Sequence, residues 1–315
     1  MDAKAQRLVW GETLTALGRD DDRILVIDGD LATSTRADIF ADALPAQFIQ
    51  GGIAEQNMVG MAVGLSTLGY RPWLSSFSVF LTHRILDQLR MLVSQTKAPI
   101  RLAGSYAGLL NGASGKTHQD LIDLAVMRQL PNMTVLAPAD AVEAEAVVRW
   151  AAEHDGPVYV RLARDPVANI FGSDYTFTPA IPVVLQDGEE ALVISTGVQT
   201  VRTSEALRLI AAEGRIFRHV HVPMLKPLST DALVESIGGH RVIVTVEEHS
   251  IIGGLGSLVM EHLSDAGMVA TVHRIGLSDG WSESAPNDFL LEKYGLSAER
   301  VAAQIRAAVP AEALT

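Results

Sequence analysis

Strand–helix alternation is the feature that most limits how this chain can fold. Short runs rich in β-branched residues are followed by stretches in which apolar residues recur at helical spacing. In the first half, the pattern predicts strands over 23–30, the start of 71–80, 98–105, 133–138 and 156–164, with helices over 80–96 and 140–155. Strands separated by helices of this length pair in parallel, so the pattern predicts an α/β fold.

The alternation resumes after a stretch of different character. Residues 165–190 contain proline, glycine and aromatic residues without a sustained period. Strands are then predicted over 191–197, 217–225, 241–249 and 269–277, and helices over 198–214 and 253–267. The sequence therefore predicts two doubly wound α/β domains, over 1–170 and 191–315, joined by a linker over 171–190.

Composition excludes several classes of protein. The net charge of −12 argues against a nucleic-acid surface, which needs a basic face. No run of 18 apolar residues is present, and the first residues lack the pattern of a signal peptide, so we expect a cytoplasmic protein without a membrane span. The absence of cysteine excludes disulfides and thiolate chemistry.

One acid stands at the start of an apolar, glycine-spaced stretch, residues 51–70. Glu55 suits the positive end of a helix, which is the common reason for an acid in this position. Gly60 and Gly64 each cost about 1 kcal/mol in a helix interior, so we expect another backbone to approach this helix closely. A carboxylate buried in such a setting can instead hold a proton for chemistry, and the residues alone leave both interpretations open.

Ligands of parallel sheets bind at the carboxyl ends of the strands, which makes the loops there the candidate site. The loop over 104–120 is long enough to suggest a function, and it contains His118. The acidic loop at 28–30 and the glycines at 253–256 are weak signals for a metal or a phosphate, so we predict no metal site in this chain.

Four motifs in order give the chain a family resemblance. It resembles transketolase, and more narrowly the carboxy-terminal half of transketolase and of deoxyxylulose-phosphate synthase, over about residues 5–310. The motifs are GGIAEQNMVGMAVGL, SFSVFLTHRILDQLR, GKTHQDLIDLAVMRQLPNMTVLAPADAVEA and TVEEHSIIGGLGS. The resemblance implies that the first domain binds the aminopyrimidine ring of thiamine diphosphate and that the second is the smaller carboxy-terminal domain.

The resemblance implies a cofactor role for several side chains. Glu55 matches the acid that hydrogen-bonds the N1′ nitrogen of the aminopyrimidine and so favours loss of the thiazolium C2 proton. Phe77 and Phe80 match the aromatic residues that pack on the ring. The remaining cofactor-side positions are Asp30, Leu31 and His83, of which His83 stands where the family often has tyrosine.

Sugar contacts are implied for a second set of residues. His118 matches the histidine that binds substrate hydroxyls, and Arg7, Ser34 and Arg164 fall where the family places sugar-phosphate ligands. The active-site loop departs from the family pattern: Ser114 replaces an aspartate, Lys116 replaces a proline, and Gly104 or Ser105 stands where transketolases have a phosphate-site histidine. These changes leave the identity of the sugar open.

The resemblance also implies a partner. The family's diphosphate- and Mg²⁺-binding domain precedes the matching region, so we expect a second subunit to supply it, in an α₂β₂ assembly with thiamine diphosphate and Mg²⁺. The expected activity is transfer of a two-carbon ketol unit from a ketose, expected to be phosphorylated, to an aldose. The alternatives are the β subunit of a 2-oxoacid dehydrogenase, a deoxyxylulose-phosphate-synthase-like enzyme and a non-catalytic partner subunit.

Overall fold

The computed structural model describes residues 3–310, which form two α/β units with one sheet each. Residues 1, 2 and 311–315 of the two predicted domains lie outside the described residues. The strands are β1 (Ile24–Asp28), β2 (Phe48–Gln50), β3 (Arg71–Phe77), β4 (Arg101–Ser105), β5 (Thr134–Leu136), β6 (Val158–Leu162), β7 (Val183–Gln186), β8 (Leu192–Ser195), β9 (Arg218–His221), β10 (Met224–Lys226), β11 (Val242–Ser250) and β12 (Thr271–Leu277).

The helices connect these strands and lie on both faces of the sheets. They are α1 (Gln6–Asp20), α2 (Ala32–Thr35), α3 (Asp38–Ala43), α4 (Glu55–Thr67), α5 (Leu86–Gln88), α6 (Asp123–Gln129), α7 (Ala141–Glu153), α8 (Gln199–Ala211), α9 (Thr230–Ile237), α10 (Leu255–Asp265), α11 (Asn287–Lys293) and α12 (Ala298–Ala308). Helix α7 shows how the sequence sets such boundaries: Asp140 caps it by accepting a hydrogen bond from the Glu143 amide at 2.9 Å.

The first sheet has the order β10-β5-β6-β4-β3-β1-β2 and is parallel except for β10. Strands β1, β4 and β6 are buried at every residue, as expected for strands covered on both faces, and β1 is accordingly a nearly continuous apolar run in the sequence. On one face Trp10 of α1 and Val147 of α7 pack against Val26, and on the other Met58 of α4 packs near Ile27. The predicted doubly wound architecture is confirmed for this unit.

The second sheet has the order β12-β11-β8-β9-β7 and is parallel except for β7. Helices α8 and α12 cover one face, and α9 and α10 cover the other. The predicted fold class is therefore confirmed for both units, although each sheet carries one antiparallel strand at its edge.

Three strands were not predicted from the sequence. Strand β7 lies inside the segment predicted as a linker, and β2 is a three-residue edge strand. The prediction of one strand over 217–225 was wrong, because the chain breaks at Pro223, which has no N–H to donate. The second piece, β10, pairs with β5 of the first sheet, so the two units share one sheet edge.

The segment predicted as one helix over 80–96 is helical but irregular. Two π-helical turns, Phe80–Arg84 and Leu89–Ser94, stand on either side of α5. Such widened turns occur often at functional sites, because they change the direction of side chains along the helix. Here the first of them carries Phe80, His83 and Arg84.

A buried chain of polar side chains joins the two units. Glu143 of α7 contacts His221 of β9 at 2.7 Å, and His221 contacts the hydroxyl of Thr200 at 2.8 Å. Thr200 in turn bonds Ser195 at 3.0 Å, and Ser195 contacts His219 at 2.8 Å. All five side chains are buried, so their hydrogen bonds within the protein replace those they would make with water.

His219 should make the protein sensitive to acid. Burial lowers its pKa from 6.5 to about 3, so the folded chain keeps this ring neutral while the unfolded chain takes up a proton below about pH 6.5. The unfolded state then binds more protons, and stability falls as the pH decreases from 6.5 toward 3. We expect His219→Gln to remove about 1 kcal/mol of the stability loss between pH 7.5 and pH 5.5.

Urea unfolding at the two pH values, followed by circular dichroism, measures this difference. An equal loss of stability in wild type and His219→Gln would show that His219 does not control the acid response.

Candidate active site

The candidate site lies at the carboxyl edge of the first sheet. Phe77 ends β3, Tyr106 follows β4 and Arg164 follows β6, while Glu55 begins α4 directly after the β2 loop. Since β1, β3, β4 and β6 are neighbouring parallel strands, their carboxyl ends lie at one edge of the sheet. The space in front of this edge is called here the cleft. His118 comes from the long loop between β4 and α6.

A ladder of aromatic rings runs along this edge. The ring of Phe80 lies 6.0 Å from that of Phe77, which stacks on Tyr106 at 4.2 Å. His118 meets the ladder edge-on, with ring centroids 6.2 Å from Phe77 and 5.6 Å from Phe80. The structure thus brings together both predicted phenylalanines and the predicted histidine, and it adds Tyr106.

Glu55 and Arg84 form one end of the ladder. The carboxylate of Glu55 is 1 % exposed, and Arg84 Nη1 donates to its two oxygens at 2.8 and 2.7 Å. The guanidinium carbon of Arg84 lies 4.3 Å from the centroid of the Phe80 ring, while the side chain is 41 % exposed. A buried carboxylate needs such a partner, because an unpaired charge is costly away from water.

Arg7 and Arg164 form the other end, called here the arginine end. Their guanidinium carbons lie 5.2 and 5.4 Å from the centroid of the Tyr106 ring. Arg7 donates to the Tyr106 hydroxyl at 3.0 Å and to the carbonyl of Ser34. Within residues 3–310 the buried Nε of Arg164 has no hydrogen-bond partner, so a donor remains for an anion.

His83 lies beside the ladder and is paired with Asp120. His83 Nε2 is 3.2 Å from Asp120 Oδ1, and the hydrogen bond raises the pKa of the imidazole. The buried Asp120 also accepts from Ser78 at 2.8 Å and from Thr82 at 2.5 Å. A half-exposed histidine with a raised pKa offers a proton donor near neutral pH.

The other predicted site residues lie around this cleft in different settings. Asp30 is exposed in a left-handed backbone conformation with φ 67°, and the Leu31 amide donates to Asp28 at 2.7 Å. Ser114 and Lys116 are exposed in the His118 loop. Ser105 is fully buried, and its hydroxyl has no hydrogen-bond partner within the described residues, so it does not face the cleft surface.

Sequence reasoning missed Arg84, Tyr106 and Asp120. Arg84 follows Phe80 by four residues in a predicted helix, a spacing that places a guanidinium over a ring and gave a usable signal. Tyr106 adopts φ 64°, a left-handed conformation that no sequence pattern predicts for tyrosine. Asp120 meets His83 only through the fold of the long loop.

Two properties of the described residues bear on the class of protein. Across residues 3–310, no group of three histidine, cysteine, aspartate or glutamate side chains has the arrangement of a metal site. In the same part of the chain, every helix is too short or too polar to cross a membrane.

Two family models match most of the chain. Residues 2–168 match the pyrimidine-binding domain of transketolase, and residues 182–301 match the transketolase C-terminal domain. The chain belongs to the transketolase family. The family resemblance given by the motifs is confirmed, and membership of this family implies the use of thiamine diphosphate.

Relatives of this transketolase-family chain include proteins of similar length. It is 38 % identical over 304 residues to a protein named as a transketolase C-terminal section from Methanocaldococcus jannaschii, covering 96 % of this chain and 95 % of that protein. It is 33 % identical over 295 residues to a 6-deoxy-6-sulfo-D-fructose transketolase subunit from Clostridium sp. (strain MSTE9), covering 94 % and 91 %.

Longer relatives and a solved structure match as well. A 1-deoxy-D-xylulose-5-phosphate synthase from Syntrophotalea carbinolica is 35 % identical, over 95 % of this chain and 47 % of that protein. A solved structure described as a split gene transketolase, inactive beta4 tetramer, is 40 % identical with a TM-score of 0.87, covering 98 % of this chain and 99 % of that chain. This transketolase-family chain therefore has the fold of a split transketolase subunit.

Asp120 should control the protonation of His83. Asp120→Asn keeps a hydrogen-bond acceptor at Oδ1 but removes the negative charge, so we expect the pKa of His83 to fall toward its ordinary value. An NMR titration of the histidine ring protons in the isolated chain measures this shift, with the other histidines as internal references. An unchanged His83 titration in Asp120→Asn would mean that Asp120 does not hold the imidazole in its charged form.

Proposed function

We propose that this chain is one subunit of a two-chain, thiamine-diphosphate-dependent transketolase that moves a two-carbon ketol unit from a ketose to an aldose. The observation that carries the proposal is the arrangement of the cleft: a buried acid at one end of an aromatic ladder and two arginines at the other. When bound, thiamine diphosphate supplies the carbon that takes up and releases the ketol unit.

Glu55 and Phe80 fit the aminopyrimidine ring. The face of Phe80 already takes a planar, electron-poor group, the Arg84 guanidinium, directly beside the carboxylate of Glu55. A planar aminopyrimidine needs the same two partners: a ring face on which to stack and a carboxylate that hydrogen-bonds a ring nitrogen. In the proposed enzyme Glu55 would share its proton with the ring nitrogen N1′, and Asp30, Leu31, Phe77 and His83 are proposed as the further contacts of the cofactor.

His118 and the arginine end of the ladder are proposed to receive different parts of the substrates. His118 lies against Phe77 and Phe80, where it can donate to sugar hydroxyls and carry protons during transfer. Arg7, Arg164 and Ser34 lie at the arginine end, where two guanidinium groups suit a phosphate or another sugar anion. Ser114 and Lys116 are proposed to complete the loop side, whereas the buried Ser105 is not assigned a contact with the sugar.

The proposed partner is a chain that carries the diphosphate- and Mg²⁺-binding domain of transketolases. Support comes from the relative named as a C-terminal section and from the split gene transketolase, both of which match this chain over almost their full length. We propose an α₂β₂ assembly in the cytoplasm in which each active site forms between the two kinds of chain.

Helix α4 offers the surface for this partner. A Cβ atom added at Gly60 or Gly64 would meet no atom within 4 Å, so the glycine face of the helix is open in this chain. Ile53 and Leu68, at the two ends of the helix, are 74 % and 75 % exposed. The close backbone approach expected from the two glycines is therefore proposed to come from the partner, next to Glu55.

Other reactions on the same fold make different products. A 2-oxoacid dehydrogenase subunit or a deoxyxylulose-phosphate synthase would decarboxylate pyruvate, whereas the proposed enzyme would shorten a ketose by two carbons without releasing CO₂. Product analysis with the two-chain enzyme separates these reactions. A non-catalytic role would leave turnover unchanged when Glu55 is replaced.

Glu55→Gln should keep the fold and the subunit assembly but lower kcat by several orders of magnitude. Glutamine is nearly isosteric, yet it cannot share a carboxyl proton with the ring nitrogen. Exchange of the C2 proton of bound thiamine diphosphate, followed by NMR in deuterated water, should become slow. His118→Ala is the matched variant: exchange should stay near normal while KM for the sugar rises. Fast exchange in Glu55→Gln would contradict the assigned role.

Gly60→Ala should have opposite effects in the isolated chain and in the assembly. In the isolated chain alanine meets open space and should stabilise α4 by about 0.5 to 1 kcal/mol. In the two-chain enzyme the added methyl group should clash with the partner and weaken association, measured by sedimentation. Gly280→Ala, also in open space but in the second domain, is the control. Unchanged association in Gly60→Ala would exclude this face as the interface.

A further inference from the structure

The loop that carries His118 is held by a segment of the second domain. This clamp segment covers residues 282–287, which follow β12 and end at the first residue of α11. Ser282 donates to the side chain of Gln119, Ser284 Oγ donates to the Ala113 carbonyl at 2.8 Å, and the Ala285 amide donates to the Gly112 carbonyl at 3.1 Å. The loop therefore depends on the second domain for its position.

Asn287 makes the central contacts of the clamp segment. Its Oδ1 accepts a hydrogen bond from the Gly112 amide at 2.8 Å, and its Nδ2 donates to the Leu110 carbonyl at 3.2 Å. The same Nδ2 donates to the carboxylate of Asp165. One amide group thus joins the His118 loop to the segment that follows β6.

The approach at Gly112 is too close for a side chain. A Cβ atom there would collide with the Ala285 carbonyl and would lie 2.6 Å from Oδ1 of Asn287. Glycine at this position lets the loop backbone lie directly on the clamp segment, so Asn287 hydrogen-bonds the loop backbone and not a side chain.

Both segments joined by Asn287 carry proposed substrate contacts. Asn111, next to Gly112, donates to the His118 carbonyl at 3.2 Å, which couples the loop position to His118. Asp165 directly follows Arg164, whose carbonyl accepts from Arg7 at 3.1 Å. The side chain of Asn287 therefore bonds both to the loop that carries His118 and to the segment that carries Arg164.

We infer that Asn287 is a positioning residue that fixes the spacing between His118 and Arg164, and that it thereby selects anionic sugars whose hydroxyl and anion fit that spacing. The inference rests on the proposed function. Small displacements of binding groups have large effects, because a substrate held at two points must match both. The amide suits this place because it can accept from Gly112 and donate to Asp165 at once.

The experiment uses the two-chain enzyme with an aldose phosphate and the matching unphosphorylated aldose as acceptors. In Asn287→Ala we expect KM for the phosphorylated acceptor to rise about tenfold, the equivalent of one lost hydrogen bond, while KM for the neutral acceptor stays within about twofold. Glu283→Gln, an exposed change in the same clamp segment, should leave both KM values unchanged.

A charge exchange separates positioning from simple support of the fold. Asn287→Asp places two carboxylates against each other at Asp165, so the phosphorylated acceptor should again bind poorly. Adding Asp165→Asn restores a carboxylate–amide pair in the reverse order, although the bond to the Leu110 carbonyl stays lost, so KM for the phosphorylated acceptor should recover in part. If Asn287 only stabilised the loop, its replacement would lower the unfolding temperature without changing the ratio of the two KM values.

The outcomes are distinct. A ratio of KM values that is unchanged in Asn287→Ala and in Asn287→Asp would overturn the inference while the proposed function stands. If Asn287→Ala does not fold, the charge exchange decides, and failure of the double variant to recover the ratio also overturns it. No ketol transfer by the wild-type enzyme would overturn the proposed function and this inference with it.

Discussion

The burial of the Glu55 carboxylate is the constraint around which the cleft is arranged. A charge that is 1 % exposed must be paired, and the chain pairs it with Arg84 from a π-helical turn. The guanidinium in turn lies on Phe80, which begins the ladder of rings that reaches Arg7 and Arg164. The buried Glu55 thus holds Arg84 in place, and Arg84 in turn covers the face of Phe80 at the start of the ladder.

The pairing of Glu55 with Arg84 limits how Glu55 can bind a cofactor ring. Arg84 donates to both oxygens of Glu55, whereas an acid that shares a proton with a ring nitrogen needs at least one oxygen free. The side chain of Arg84 is 41 % exposed and that of Glu55 is 1 % exposed, so the arginine is the partner with open space beside it. A planar cofactor ring can therefore reach Glu55 only if Arg84 gives up at least one of its two hydrogen bonds.

The second domain contributes to the site from a distance. Its strand β10 completes the first sheet, Glu248 of β11 accepts from the Leu109 amide at 2.7 Å, and Asn287 holds the Gly112 backbone. Arg161 of β6 adds a buried link by donating to the Glu248 carbonyl at 2.9 Å. The loop with His118 is consequently packed between two domains, which gives a long loop a defined position.

The sequence by itself determined the α/β class, most strands and five of the helices of the described residues (α4, α5, α7, α8 and α10), and its motifs pointed to Glu55, Phe77, Phe80 and His118 as candidate site residues. These features are local: buried parallel strands read as apolar runs, and the four side chains stand in short motifs. The residue pattern did not predict β2, β7 or β10, since short edge strands carry too few residues to show a period.

Only the tertiary structure decided which distant groups meet. Gly112 and Asn287 are 175 residues apart, and Arg7 and Arg164 are 157 apart, so no local pattern relates them. Tyr106 joins the ladder through a left-handed backbone, and Ser105 beside it is turned into the interior. Strand periodicity fixes which side of the sheet a residue faces, but contacts between loops depend on how all the strands end at one edge.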